Sequence, residues 1–108
     1  MIEVNTENFE QEVVRAPEPV LVDFWGPQCG PCLALMPQVQ ALSEKYQGRV
    51  KMIKVEAPKS RRLCLNLKVM GLPTFLFFKD GKEVGRLTGN ITIKSIEDSL
   101  KGILEDNG

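Results

Sequence analysis

Histidine is absent from the sequence. That absence removes Cys–His and Ser–His–Asp catalysis and every imidazole metal site. It leaves only a perturbed Asp, Glu, Lys or Cys as a proton acceptor near pH 7. Charge of one sign is lacking as well. The 14 basic and 14 acidic residues cancel over 108 positions, so no global field points to a nucleic-acid or membrane partner. Aromatics make up only 6%, with one Trp and one Tyr, and they do not interleave with the basic residues as single-stranded nucleic-acid binding requires. The longest apolar stretches, such as Thr74-Phe75-Leu76-Phe77-Phe78, fall far short of the roughly 20 residues that span a bilayer. Met1-Ile2-Glu3-Val4-Asn5 lacks the basic start and apolar run of a signal peptide. A cytoplasmic protein is the expectation.

What is present fits one compact unit. With 43% apolar and 26% charged residues, and no repeat or low-complexity tract, residues 1–108 read as a single domain that folds without disulfide staples. Three cysteines are an odd number, and two of them stand together in Cys29-Gly30-Pro31-Cys32. A stapled secreted domain shows an even set spread along the chain. In a reducing compartment the close pair reads instead as redox chemistry or half a metal site. Zinc needs four ligands, and without histidine only Cys64 and carboxylates remain to complete them. No metal and no organic cofactor is therefore expected.

The pattern along the chain is that of an α/β protein. A helix is expected after Thr6, which can cap it, with Phe9, Val13 and Val14 inward. Val20-Leu21-Val22-Asp23-Phe24-Trp25 is an apolar run without alternation, as in a strand covered on both faces; only Asp23 violates it. Pro31 to Tyr46 has helical spacing, and Pro37 should bend that helix. Val50 to Val55 is a second strand, Arg61 to Leu67 a short helix, and Thr74 to Lys79 a third strand. Asp80-Gly81 is a hairpin turn into Lys82 to Thr88. Ile93, Ile96, Leu100, Ile103 and Leu104 mark a terminal helix that starts near Thr92. The early β-α-β order demands parallel strands, and the hairpin adds an antiparallel edge. The expected architecture is a central mixed sheet with helices on both faces.

The cysteine pair falls where a strand turns into a helix. Cys-x-x-Cys at a helix start puts both sulfurs on one side, within disulfide reach. Free N–H groups of the first turn and the helix dipole favour a thiolate at Cys29, the expected nucleophile. Cys32, inside the helix, suits the resolving thiol. Pro31 fits a first-turn position, and Gly30 leaves access to Cys29 open. Resolution needs a base, and Asp23, an acid among apolar neighbours, is the leading candidate. Lys54, on the next strand, would tune it.

These residues reach a known family. Trp25, Cys29-Gly30-Pro31-Cys32, Pro37, Leu72-Pro73-Thr74, Asp80-Gly81 and Gly89 follow one another in an order that resembles the thioredoxin family, from Asn5 to about Leu104. The resemblance implies a thioredoxin fold with Asp23 as the buried acid, Lys54 as its neighbour and Pro73 as a cis-proline beside the cysteines. It further implies that Leu72 offers backbone groups to a docked substrate strand, with Gly71 and Gly89 on the rim. The implied activity is that of a monomeric protein disulfide reductase that serves client proteins with disulfides and is recharged by a flavin-dependent thioredoxin reductase. Three positions depart from the pattern: Gln28 replaces a common Trp, Leu33 a common Lys or Arg, and Glu56-Ala57-Pro58 lacks a frequent acid. They point to a rival, a specialised redox partner with shifted potential. A second rival is a non-redox binding platform around Trp25, Leu72 and Gly89.

Two further features carry alternatives. Cys64 reads as a small core residue on the short helix, or as a regulatory third thiol that links two chains on oxidation. The segment from Lys45 to Lys68 holds eight basic residues; it reads as a solvated face, or as a surface around Lys59-Ser60-Arg61-Arg62 that steers acidic partners.

Overall fold

The computed structural model describes residues 1–105. Five strands, β1 (Ile2–Glu3), β2 (Val20–Trp25), β3 (Lys51–Glu56), β4 (Thr74–Lys79) and β5 (Lys82–Thr88), form one sheet in the order β1-β3-β2-β4-β5. The first three in that order run parallel, and β4 and β5 are antiparallel to their neighbours. Helices α1 (Gly30–Lys45), α2 (Arg61–Leu67) and α3 (Ile93–Glu105) cover it. The expected mixed sheet with helices on both faces is the fold observed.

The apolar run of β2 explains its central place. Val20, Val22 and Phe24 pack with Phe9, Val13, Ile53, Leu63 and Leu76 on one side of the sheet. Leu21 points the other way, into Val39, Leu42, Phe75, Phe77 and Ile96, because successive strand side chains alternate between faces. A strand between two cores has no solvent face, so it shows no polar alternation. Each of these large side chains, fully buried, contributes roughly 1.5–3 kcal/mol.

Local chemistry sets the boundaries. Thr92 and Ser95 exchange hydrogen bonds, each side-chain oxygen accepting from the other's backbone N–H at 3.1 Å, so the terminal helix starts where expected. Asp80 and Gly81 both have positive φ, 53° and 78°, the conformation of a tight hairpin turn. A Cβ at Gly81 would lie 2.9 Å from the Val14 carbonyl oxygen, so glycine serves both the turn and the contact beneath it. Helix α1 runs on through Pro37.

One expectation is corrected. The first helix is a π-helical turn, Glu10–Val14, and Thr6 does not cap it. Its N-cap, Phe9, receives no side-chain bond; Asn5 and Asn8 instead brace the turn before it, each carboxamide oxygen accepting the other's backbone N–H at 2.8 and 3.0 Å. Ahead of it lies an unanticipated strand: Ile2–Glu3 pairs in parallel with Ile53 and Lys54. A two-residue strand carries too little periodicity to be read in advance.

Cys64 lies in the α2-side core, 9% exposed, and burial pushes its thiol above the usual range. This favours the packing reading over the regulatory one, since a buried protonated thiol is a poor nucleophile. Limited iodoacetamide treatment of the reduced native protein is therefore expected to alkylate Cys29 and spare Cys64 until denaturant is added. Labelling of Cys64 at a comparable rate would show that the helix opens.

Candidate active site

The site forms where the ends of β2 and β3 meet the start of β4. Four residues, Gly26 to Cys29, link Trp25 to the first residue of α1, Gly30. Gly26 is buried, and a Cβ there would stand 3.2 Å from Leu72 Cδ1, so the link presses on the loop before β4. The Cys29 N–H donates to the Gly26 carbonyl at 3.1 Å.

Cys29 is the N-cap of α1. Its Sγ accepts from the Cys32 N–H at 3.2 Å, so the sulfur takes the place that a serine or aspartate oxygen fills at other helix starts. That donor and the positive end of the helix both stabilise negative charge on Cys29. Cys29 and Cys32 are joined in a disulfide, with Cα atoms 5.3 Å apart. Their settings differ: Cys29 is half-buried and Cys32 is 2% exposed. Gly30 and Pro31, the first two helical residues, are exposed beside Cys29. Gln28 and Leu33 also face solvent, and neither puts a charge beside the sulfurs.

Asp23 lies on the α1 side of the sheet, two residues beyond Leu21, and is 2% exposed. Its strand partners are Lys54 on β3 and Phe75 on β4. Burial pushes its carboxyl from the ordinary 3.8 up to about 7; the nearby Lys54 ammonium pulls it down and the Glu3 carboxylate pushes it further up. The expected pairing of Asp23 with Lys54 is present in register. Lys54 also places its Nζ 5.6 Å from the centroid of the Trp25 ring, a cation–π arrangement. Trp25 is half-buried at the rim and donates from Nε1 to Glu3 Oε2 at 3.4 Å.

The Leu72–Pro73 peptide is cis, as the resemblance implies. Thr74 closes this loop by donating from Oγ1 to the Gly71 carbonyl at 2.6 Å. Pro31, Leu35, Leu72, Pro73, Gly89 and Ile91 line a groove of about 400 Å³. Gly71 lines the adjoining hollow with Leu72 and Gly89. The residues named from the sequence thus gather at one end of the sheet. Glu3 and Gly26 were missed. Glu3 comes from a strand too short to read, although Ile2-Glu3-Val4 shows one step of apolar–polar alternation. Gly26 depends on a contact with Leu72, distant in sequence.

The thioredoxin family model matches residues 1–102. The chain belongs to the thioredoxin family. It is 40% identical over 102 residues to a thioredoxin of Acetoanaerobium sticklandii, covering 94% of this chain and 97% of that one. Thioredoxin C-2 of Corynebacterium nephridii is 41% identical over 88 residues, 80% of this chain and 82% of its own. Thioredoxin 1 of Nostoc sp. is 32% identical over 99 residues, 92% of each. Family and geometry together make the chain a thioredoxin-fold protein-disulfide oxidoreductase, with the Cys29–Cys32 pair as its redox-active disulfide. Among the described residues no helix is long and apolar enough to cross a membrane.

The raised Asp23 carboxyl has a consequence for stability. Below about pH 4 the group is protonated whether the chain is folded or not, and its burial adds nothing pH-dependent. Between about 4 and 7 the unfolded chain releases the proton while the folded one holds it, so stability falls as pH rises and levels off above 7. At about 1.4 kcal/mol per pH unit the full cost is about 4 kcal/mol. Asp23→Asn is expected to be more stable than the parent by up to that amount in urea unfolding at pH 8. The gain should vanish near pH 4; a gain independent of pH would exclude Asp23 titration as its source.

Proposed function

We propose that the chain is a protein disulfide reductase in which Cys29 attacks, Cys32 resolves and Asp23 takes the proton. The observation that carries this reading is the asymmetry of the pair: a half-buried sulfur at a helix N-cap beside a buried one, on the sheet face that also holds a carboxyl pushed up to about 7. The Cys29 thiolate attacks one sulfur of a client disulfide, and the other leaves as a thiolate. The Cys32 thiol then gives its proton to the Asp23 carboxylate and attacks Cys29 Sγ, which releases the client's first sulfur. Two electrons pass to the client, and the Cys29–Cys32 disulfide of this structure is the oxidised product. A carboxyl titrating near 7 is half ionised at neutral pH, able both to take the proton and to return it.

Client docking follows from the groove. Leu72 offers its backbone to an extended client segment, while Gly71 and Gly89 keep side chains out of its path. Pro31 lines the same opening. The partners are disulfide-bearing proteins and a thioredoxin reductase that returns two electrons to the pair. No organic cofactor is needed, since the disulfide itself carries the electrons. A monomer of one domain acting in the cytoplasm completes the reading.

Two experiments test it. With thioredoxin reductase and NADPH, the parent should turn over insulin disulfides, Cys29→Ser should be inactive, and Cys32→Ser should accumulate a mixed disulfide. The potential of the pair, followed by Trp25 fluorescence in defined thiol buffers, is expected near −270 mV, roughly the thioredoxin value. A value of about −180 mV or above would replace the reductase with an isomerase-like or oxidising role.

A further inference from the structure

Strand β1 contains two residues, and one of them reaches the site. Glu3 stands opposite Lys54, and Lys54 stands opposite Asp23, across three parallel strands. Residues paired in this way share a face of the sheet, so one row carries an acid, a base and an acid. A single ammonium cannot neutralise both carboxylates. Asp23 is buried in this row while Glu3 is at the open rim.

Glu3 is nevertheless held. Its Oε2 accepts from the Glu56 backbone N–H at 2.7 Å and from Trp25 Nε1 at 3.4 Å. These donors keep the carboxylate turned toward the row, and the indole they fix in turn meets the Lys54 ammonium. The other surroundings of Asp23 are neutral or engaged elsewhere. Phase is kept on β4 by Phe75, the first two turns of α1 from Gly30 to Met36 carry no charge, and Glu56 on β3 pairs with Lys59 at 3.7 Å. In this disulfide form Glu3 and Lys54 are therefore the two charges that bear on Asp23; on reduction the Cys29 and Cys32 thiols at the start of α1 join them.

We propose that Glu3 is a positioning residue for dithiol–disulfide exchange: it shares Lys54 with Asp23 and pins the Trp25 indole, so that Asp23 retains its affinity for the Cys32 proton. Were Lys54 committed to Asp23 alone, the carboxylate would be held ionised and would be a weaker base. Glu3 supplies the opposing charge from a position that clients and solvent can reach. The inference rests on Asp23 as the proton acceptor.

Glu3→Gln separates charge from hydrogen bonding, because the amide oxygen still accepts from both donors. The readouts are the carbon-13 titration of the Asp23 carboxyl in reduced protein and the acid limb of the pH profile for insulin reduction. Glu3→Gln is expected to lower both midpoints by about half a pH unit or more, less in about 1 M salt, since a rim charge is screened. Glu3→Ala is expected to lower them likewise and also to change Trp25 emission, which Glu3→Gln leaves in place. Unmoved midpoints in Glu3→Gln overturn the proposal, and unchanged emission in Glu3→Ala overturns the pinning of Trp25. If the acid limb is lost in Asp23→Asn but unmoved in Glu3→Gln, Glu3 falls and Asp23 stands. A limb that survives in Asp23→Asn overturns the acceptor reading itself.

Discussion

A carboxyl group buried between the sheet and the helix that carries the cysteines is the constraint on which this site turns. Asp23 occupies a position that every neighbour in its strand fills with an apolar side chain, and the chain accepts a pH-dependent loss of stability to keep it there. That loss is tolerable only because the rest of β2 is fully buried in two cores, with Leu21, Val22 and Phe24 at 0% exposure. An edge strand could not hold such a group out of water. Centrality of the strand, apolar packing around it and an acid that titrates near neutrality are thus one arrangement seen from three sides.

The topology does the rest of the positioning. Because β3 runs parallel to β2 and β4 runs against it, the ends of β2 and β3 lie beside the beginning of β4. The link into α1, the Lys54–Glu56 end of β3 and the Leu72–Pro73 loop therefore converge without any long excursion of the chain. Gly26 lets the first of these press on the last. An all-parallel sheet in this order would send the cis-proline loop to the opposite end of the strands. The antiparallel β4 is what makes the redox helix and the Leu72–Pro73 groove neighbours.

Much of this was legible in advance. The unbroken apolar run of β2 marked a two-sided strand, the lone Asp23 within it marked the acid, and Cys29-Gly30-Pro31-Cys32 after it marked the helix start. Each is a local signal with one physical reading. What escaped depended on partners distant in sequence. Glu3 acquires its meaning only when β1 lies against β3, and a two-residue strand announces nothing. Thr6 caps nothing because the turn it sits in is closed by the reciprocal carboxamide bonds of Asn5 and Asn8, and the helical turn begins only after Phe9. Gly26 reads as an ordinary loop glycine until Leu72 is placed beside it.

The charges around Asp23 show how one fold can be adjusted without touching its sulfurs. Burial alone would raise the carboxyl, and a single lysine alone would lower it. Glu3, exposed on the edge strand, stands in the same row across Lys54, where the proposed adjustment can change at little structural cost. The neutral surroundings of Cys29, with Gln28 and Leu33 facing solvent, leave the thiolate to the helix terminus and the Cys32 N–H. On the proposed reading, the nearby side-chain charges of this chain bear on Asp23, the proposed proton acceptor, and not on Cys29.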